Sequence, residues 1–159
     1  MNNKIFYSTI ATLLIIAGFM GNRLIQNRSA TDHFFEKTVE ITMFRGEGCN
    51  CCLKWVDHLE SNGFVVEDQV VNNLQAVKKE NNIPTNLQSC HTAIVDGYIV
   101  EGHVPAAEIQ RLISEKPEAL GISVPGMPLG SPGMESSKVE PYNVLLFNEA
   151  GNQFIYAKY

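Results

Sequence analysis

The chain has 159 residues, 12 of them basic and 17 acidic, and the charges are unevenly placed. Residues 1–30 carry Lys4, Arg23 and Arg28 and no acid, so the remainder holds nine basic against 17 acidic residues, a formal charge of −8. That balance excludes a nucleic-acid reader, which needs a basic stripe to displace phosphate counterions, and 45% hydrophobic with 18% charged residues excludes a disordered chain.

Lys4 precedes an uncharged run from Ile5 to Gly21 with Leu13, Leu14, Ile15 and Ile16 at its centre. As a helix this run spans roughly 25 Å, slightly less than the roughly 30 Å hydrocarbon core of a bilayer. A positive flank and an apolar centre of that length predict an export signal or a membrane anchor over residues 1–30. No clean small-residue cleavage site follows, which favours an uncleaved anchor on the periplasmic side of the inner membrane. No Cys follows the apolar run, so a lipoprotein anchor is excluded. About 125 further residues suffice for one core and not two, so a single domain is expected over residues 37–159.

Within that domain, Thr38–Phe44 alternates, with Val39, Ile41 and Met43 on one face, and predicts a strand. Gly46 and Gly48 interrupt the chain before Cys49. From Cys51 to Asn62, Cys52, Trp55, Val56 and Leu59 fall at helical spacing, and Gly63 supplies the stop. Phe64–Val71 reads as a second strand and Leu74–Glu80 as a second helix, ended near Pro84. Thr92–Val95 and Tyr98–Glu101 flank Asp96-Gly97, a hairpin signal, and Pro105 suits the first turn of a helix carrying Ile109, Leu112 and Ile113. Residues 121–133 are rich in Gly and Pro and predict irregular chain. Tyr142–Phe147 and Phe154–Tyr159 close the chain as a C-terminal β-hairpin. The order β-α-β-α-β-β-α predicts an α/β fold, a small mixed sheet flanked by helices. A strand leading into a Cys-bearing loop that opens a helix is the thioredoxin-like pattern.

Exported cysteines often form structural disulfides, and four allow three pairings. Here Cys49, Cys51 and Cys52 crowd into four positions, whereas structural bridges usually close longer loops. The clustering points to thiolate chemistry. Orphan N–H groups at a helix start stabilise negative charge, so a thiol there ionises more readily. Cys51 and Cys52 lie about a hundred degrees apart around a helix, so the three thiols converge only if Cys49 stays in the loop. Cys90-His91 lies just before the third predicted strand, where thioredoxins place a cis-proline, and His103 follows the fourth. In such a sheet Cys90 confronts Cys49 and Cys52. The segment Pro125–Met134 holds Met127 and Met134 in a loop over residues 121–135 that cannot pack as a helix, and thioether sulfur is a soft ligand favouring Cu(I). Trp55 reads as core and His58 as surface.

These motifs together resemble a known family. Cys49-x-Cys51-Cys52-x-x-Trp55-Val56-x-His58-Leu59 and Gly63-Phe64 match it first. Ser89-Cys90-His91-Thr92, Gly102-His103-Val104-Pro105-Ala106 and Val124-Pro125-Gly126-Met127-Pro128-x-Gly130-Ser131-Pro132-Gly133-Met134-Glu135 follow in order. The run Tyr142–Tyr159 is similar to its closing segment. The chain resembles the bacterial exported proteins of domain of unknown function 411, often described as metal-binding or copper-associated. The resemblance implies a thioredoxin-like domain and a periplasmic metal role.

Two functions are weighed. In the first, Cys49, Cys51, Cys52 and Cys90, with His91, His103, Met127 and Met134 nearby, hold a metal ion. Soft thiolates favour Cu(I), for copper tolerance, sequestration or delivery to another copper-handling protein, and zinc on Cys and His ligands is the variant. In the second, Cys49 and Cys52 are the redox pair of a thiol–disulfide oxidoreductase. The extra thiols of Cys51 and Cys90 count against the second, because they would trap mixed disulfides.

Overall fold

The computed structural model describes residues 38–159, and the predicted signal or anchor segment lies outside them. Strand β1, Val39–Arg45, forms where the alternation predicts it, with Ile41 and Met43 buried on one face. The first helix, α1, spans Asn50–Glu60 and buries Cys52, Trp55 and Leu59, the helical spacing seen in the sequence. It leads into β2, Phe64–Val70, which pairs parallel to β1 with Val39 opposite Phe64. Parallel strands need such a crossover, and α1 supplies it.

The second helix, α2, spans Leu74–Glu80 and starts at Asn73, whose side chain accepts the Ala76 amide at 3.1 Å. A single 3₁₀ turn, Thr85–Leu87, then delivers the chain to β3, His91–Val95. Through the Asp96-Gly97 turn β3 pairs antiparallel with β4, Tyr98–Glu101. The third helix, α3, runs over Ala106–Glu115 with Ala106, Ile109 and Leu112 buried.

Two expectations need correction. The 121–133 segment is not irregular throughout: Gly121–Ser123 forms β5, parallel to β4. The sheet is also not small. The C-terminal hairpin, β6 (Asn143–Phe147) and β7 (Gln153–Lys158), joins it through β5, giving seven strands in the order β2-β1-β3-β4-β5-β6-β7. Three residues of β5 are too few to show a pattern, yet they carry the sheet from one hairpin to the next. The architecture is mixed α/β with a seven-stranded mixed sheet and three helices among the described residues.

One buried cluster joins Ile41, Met43, Ala93 and Val100 to Trp55 and Leu59 of α1 and to Ile109 and Leu112 of α3. Residues one step out of phase along the strands, Ile99 and Phe147, pack with Ile83 and Leu87 in a second cluster. Among the described residues no helix is long and apolar enough to cross a membrane.

Candidate metal centre

The start of α1 sets out three of the sulfurs. Cys49 is its N-cap, with φ −74° and ψ 86°, so it stays outside the helix while Cys51 and Cys52 occupy the first turn. That is the condition under which all three converge. Cys49 and Cys52 are joined by a disulfide with their Cα atoms 5.3 Å apart, and Cys51 and Cys90 are free thiols. Cys51 Sγ lies 3.5 Å from Cys49 Sγ and 3.8 Å from Cys90 Sγ, and Cys52 Sγ is 3.7 Å from Cys90 Sγ. All four sulfurs fall within 4.8 Å of one another. The chain entering β3 thus meets the helix start, although Cys49 and Cys90 are 41 positions apart in sequence.

Cys90 also belongs to a second group. Its sulfur is 3.0 Å from His103 Nε2 and 3.3 Å from His91 Nδ1, and both imidazoles are buried. His91 is the first residue of β3, and His103 follows β4. His103 Nδ1 lies 2.8 Å from the Pro132 carbonyl, which only accepts, so Nδ1 carries the proton and Nε2 faces the sulfur bare. This is the arrangement by which a backbone carbonyl sets a histidine's tautomer for ligation.

The electrostatics suit a bound cation. Burial, reinforced by Cys51, pushes the Cys90 thiol up to about 12. Burial also lowers the pKa of His103 and holds His91 well below the ordinary histidine value, with His103 and Lys78 adding to the effect on His91. Among the described residues His91 Nε2 is buried with no hydrogen-bond partner, its ring 4.4 Å from Trp55 and 5.0 Å from His103. Crowded sulfurs, neutral imidazoles and an orphaned buried nitrogen are costly on their own. A metal cation beside Cys90 relieves the first and uses the second, because it replaces thiol protons and accepts lone pairs from the ring nitrogens that face Cys90, His103 Nε2 and His91 Nδ1. The donor set therefore fits a soft metal.

The Gly/Pro loop lies against this centre. Gly133 packs on the first turn of α1, where a Cβ would sit 2.6 Å from the Cys51 carbonyl oxygen and 3.2 Å from His103 Nδ1. At its other end, Ser89 Oγ donates to the Gly126 carbonyl and Gly126 N donates to the Gln88 carbonyl at 3.2 Å. Met127 and Met134 directly follow these two contact points. Met127 is 50% exposed and Met134 partly buried.

Three features escaped the sequence reading. The Pro132 carbonyl that orients His103 sits in a stretch noted only for its methionines. A buried Lys78–Glu101 pair lies behind the Cys90 strand. His58 is not a surface residue: it is half-buried and accepts the Ala106 amide at 3.0 Å. Trp55 is core as expected, and its Nε1 donates to the Val104 carbonyl at 2.8 Å.

The family described as "Protein of unknown function, DUF411" matches residues 87–134, which span Cys90, both histidines and the loop through Met134. Two solved structures of copper resistance protein copG are similar over most of the chain. Form 2 is 43% identical with a TM-score of 0.74, covering 77% of this chain and 99% of its own. Form 1 has the same identity and TM-score and is covered over 98% of its length. No curated protein sequence matches the chain. With 43% identity over nearly the whole of that relative, and the family's pattern falling on Cys90, His91 and His103, the chain belongs to the copper-associated DUF411 family.

Proposed function

We propose that this protein binds copper as Cu(I) on the extracytoplasmic side of the membrane, for tolerance, sequestration or delivery. The carrying observation is the convergence of four sulfurs from two distant segments within 4.8 Å of one another. The thiolates of Cys49, Cys51, Cys52 and Cys90 would hold the ion, with the imidazoles of His91 and His103 beside Cys90. Thioethers of Met127 and Met134 would close over it from the loop. Copper is cargo here, and no catalytic step is required. Zinc on the Cys and His donors is the variant reading.

The domain organisation that goes with this is a signal or anchor over residues 1–30 and one thioredoxin-like metal-binding domain over residues 37–159. The thioredoxin-like reading is supported by β1 and β2 running parallel, β3 and β4 antiparallel, and the Cys-bearing helix between β1 and β2. Another copper-handling protein would be the partner in delivery.

Metal loading starts from reduction. A dithiol opens the Cys49–Cys52 bridge by exchange, giving up two electrons and two protons as it becomes a disulfide, and leaves Cys49 and Cys52 as thiols. Deprotonation then accompanies metal binding.

The bridge itself favours one second reading, a thiol–disulfide oxidoreductase with Cys49 attacking and Cys52 resolving. Cys51, 3.5 Å from the Cys49 sulfur, and Cys90, 3.7 Å from the Cys52 sulfur, count against it because they are placed to intercept a mixed disulfide.

Anaerobic, reduced protein titrated with Cu(I) against a chromophoric chelator should retain metal, and Cys49→Ser or Cys90→Ser should abolish retention. Failure of the wild type to compete with the chelator removes the copper reading. The second reading instead requires disulfide turnover that survives Cys90→Ser but not Cys49→Ser or Cys52→Ser.

A further inference from the structure

Behind the metal centre, on the side of β3 and β4 away from the histidines, lies a closed polar cluster. Lys78 of α2 and Glu101 of β4 pair with both side chains fully buried. Lys78 Nζ also donates to Thr92 Oγ1 at 3.0 Å, and Thr92 Oγ1 donates to Glu101 Oε2 at 2.7 Å. One bond leaves the cluster: the backbone N–H of Ser89 donates to Glu101 Oε1 at 2.6 Å. Glu101 is the acceptor in every bond it makes here.

A buried ion pair is weak evidence for stability, since apolar residues of similar volume often serve as well, and its best-attested use is to specify one arrangement. Here the arrangement it specifies is the entry to β3. Ser89 immediately precedes Cys90, and it is gripped from three sides. Glu101 takes its amide, the Gly126 carbonyl takes its hydroxyl, and Gly102 approaches so closely that a Cβ there would sit 2.5 Å from Ser89 Cβ. Side chains alternate across a strand. Thr92 and Glu101, register partners in β3 and β4, therefore face the cluster while His91 faces the metal centre.

We infer that Glu101, neutralised by Lys78, is a positioning residue for the metal centre. By holding the Ser89 amide it sets where Cys90 Sγ stands relative to Cys51, Cys52 and His103. It touches no ligand atom of the proposed site. This inference rests on the copper reading for its functional meaning, but its geometry is testable without metal.

The test compares two double variants of the full chain. Lys78→Met/Glu101→Gln removes both charges and keeps a side-chain oxygen to accept the Ser89 amide and an N–H for Thr92. Lys78→Met/Glu101→Leu removes the acceptor. Each is checked for folding by circular dichroism. Reduced Cu(I) affinity is then read by chelator competition together with the thiolate-to-copper absorption band. Metal-free, bridged protein is assayed separately for the rate at which Cys90 is alkylated by iodoacetamide.

The Gln variant should match the wild type in all three readouts. The Leu variant should lose about 10- to 100-fold in Cu(I) affinity, the range typical of lost outer-shell partners, with a shifted band and faster Cys90 alkylation. A purely structural cluster would lower thermal stability in both and leave band and alkylation alike, which overturns the inference. Should the wild type not retain Cu(I), the copper reading fails while alkylation still decides the positioning role. Should the Leu variant not fold, hydrogen exchange at Ser89 in the native, metal-free protein decides: a protected amide supports the anchor, and a freely exchanging one refutes it.

Discussion

The imidazole of His58, on α1, caps α3: its Nε2 accepts the backbone N–H of Ala106 at 3.0 Å. Pro105, the residue in the N-cap position, has no side chain able to do so. One of the four amides orphaned at a helix start is therefore satisfied from a different helix, tying the Cys-bearing element to α3.

This cap works only with a neutral ring, which makes it pH-sensitive. Burial lowers the His58 pKa below its ordinary 6.5; Glu135, itself near Lys54, opposes that shift without reversing it. With the folded value depressed, the stabilisation is fully present above the unfolded value near 6.5 and is lost as pH falls through the folded value. His58→Ala should lower stability by about 1 kcal/mol at pH 7, the scale of a lost helix cap. The same substitution should cost progressively less as pH drops below 6. Urea denaturation of wild type and variant at pH 7.5 and 5 checks this; a pH-independent difference would contradict the cap.

Much of the fold is legible from local pattern, and much of the site from cysteine crowding. Strand β1, helix α1 and the Asp96-Gly97 hairpin each follow from the period of their apolar residues, and Cys49, Cys51 and Cys52 declare themselves by spacing. What escapes is set by tertiary partners. Lys78 stands in the run Lys78-Lys79-Glu80, which reads as a solvated helix end; only the placement of α2 against β3 and β4 buries it. His58 reads as surface because the amide it accepts belongs to a helix 48 positions further on. Strand β5 has three residues, too few for alternation to register.

Gly133 should prove indispensable to the centre. A Cβ there would lie 2.6 Å from the Cys51 carbonyl oxygen, 3.0 Å from Trp55 N and 3.2 Å from His103 Nδ1, at a φ of +84°. Gly133→Ala should destabilise by about 1–3 kcal/mol through the left-handed backbone alone. The clash should also lift the loop off α1, release His103 from Pro132 and weaken Cu(I) retention. Gly151→Ala is the control, since Gly151 has a similar φ of +80° and open space around it. It should lose stability without losing copper. Equal copper affinity in the two variants would show that the loop contact does not support the centre.

The Lys78–Glu101 pair makes a separate prediction about stability. Lys78→Met alone strands a buried carboxylate without its cation and should destabilise by about 3–5 kcal/mol. Adding Glu101→Gln removes the stranded charge and should recover most of that loss, so the second substitution is stabilising in the background of the first. The urea midpoint at constant m-value measures both steps. Additive losses would mean that the two side chains are not coupled.

The thiol state of the helix start should govern copper binding. With Cys49 and Cys52 bridged, only Cys51 and Cys90 are free, 3.8 Å apart. A bridged sulfur carries no charge to offer Cu(I), so oxidised protein keeps two of the four thiolates. Reduction by a dithiol, followed by its removal under anaerobic conditions, restores all four. Oxidised protein should therefore surrender Cu(I) to a chelator concentration that reduced protein withstands, with thiol counts before and after titration confirming the state of each sample. Cys49→Ser cannot form the bridge, so its loss of Cu(I) to the chelator should be the same with and without prior reduction. If bridged and reduced wild type compete equally well, Cys49 and Cys52 are not ligands, and the metal would have to sit on Cys51, Cys90 and the two imidazoles instead.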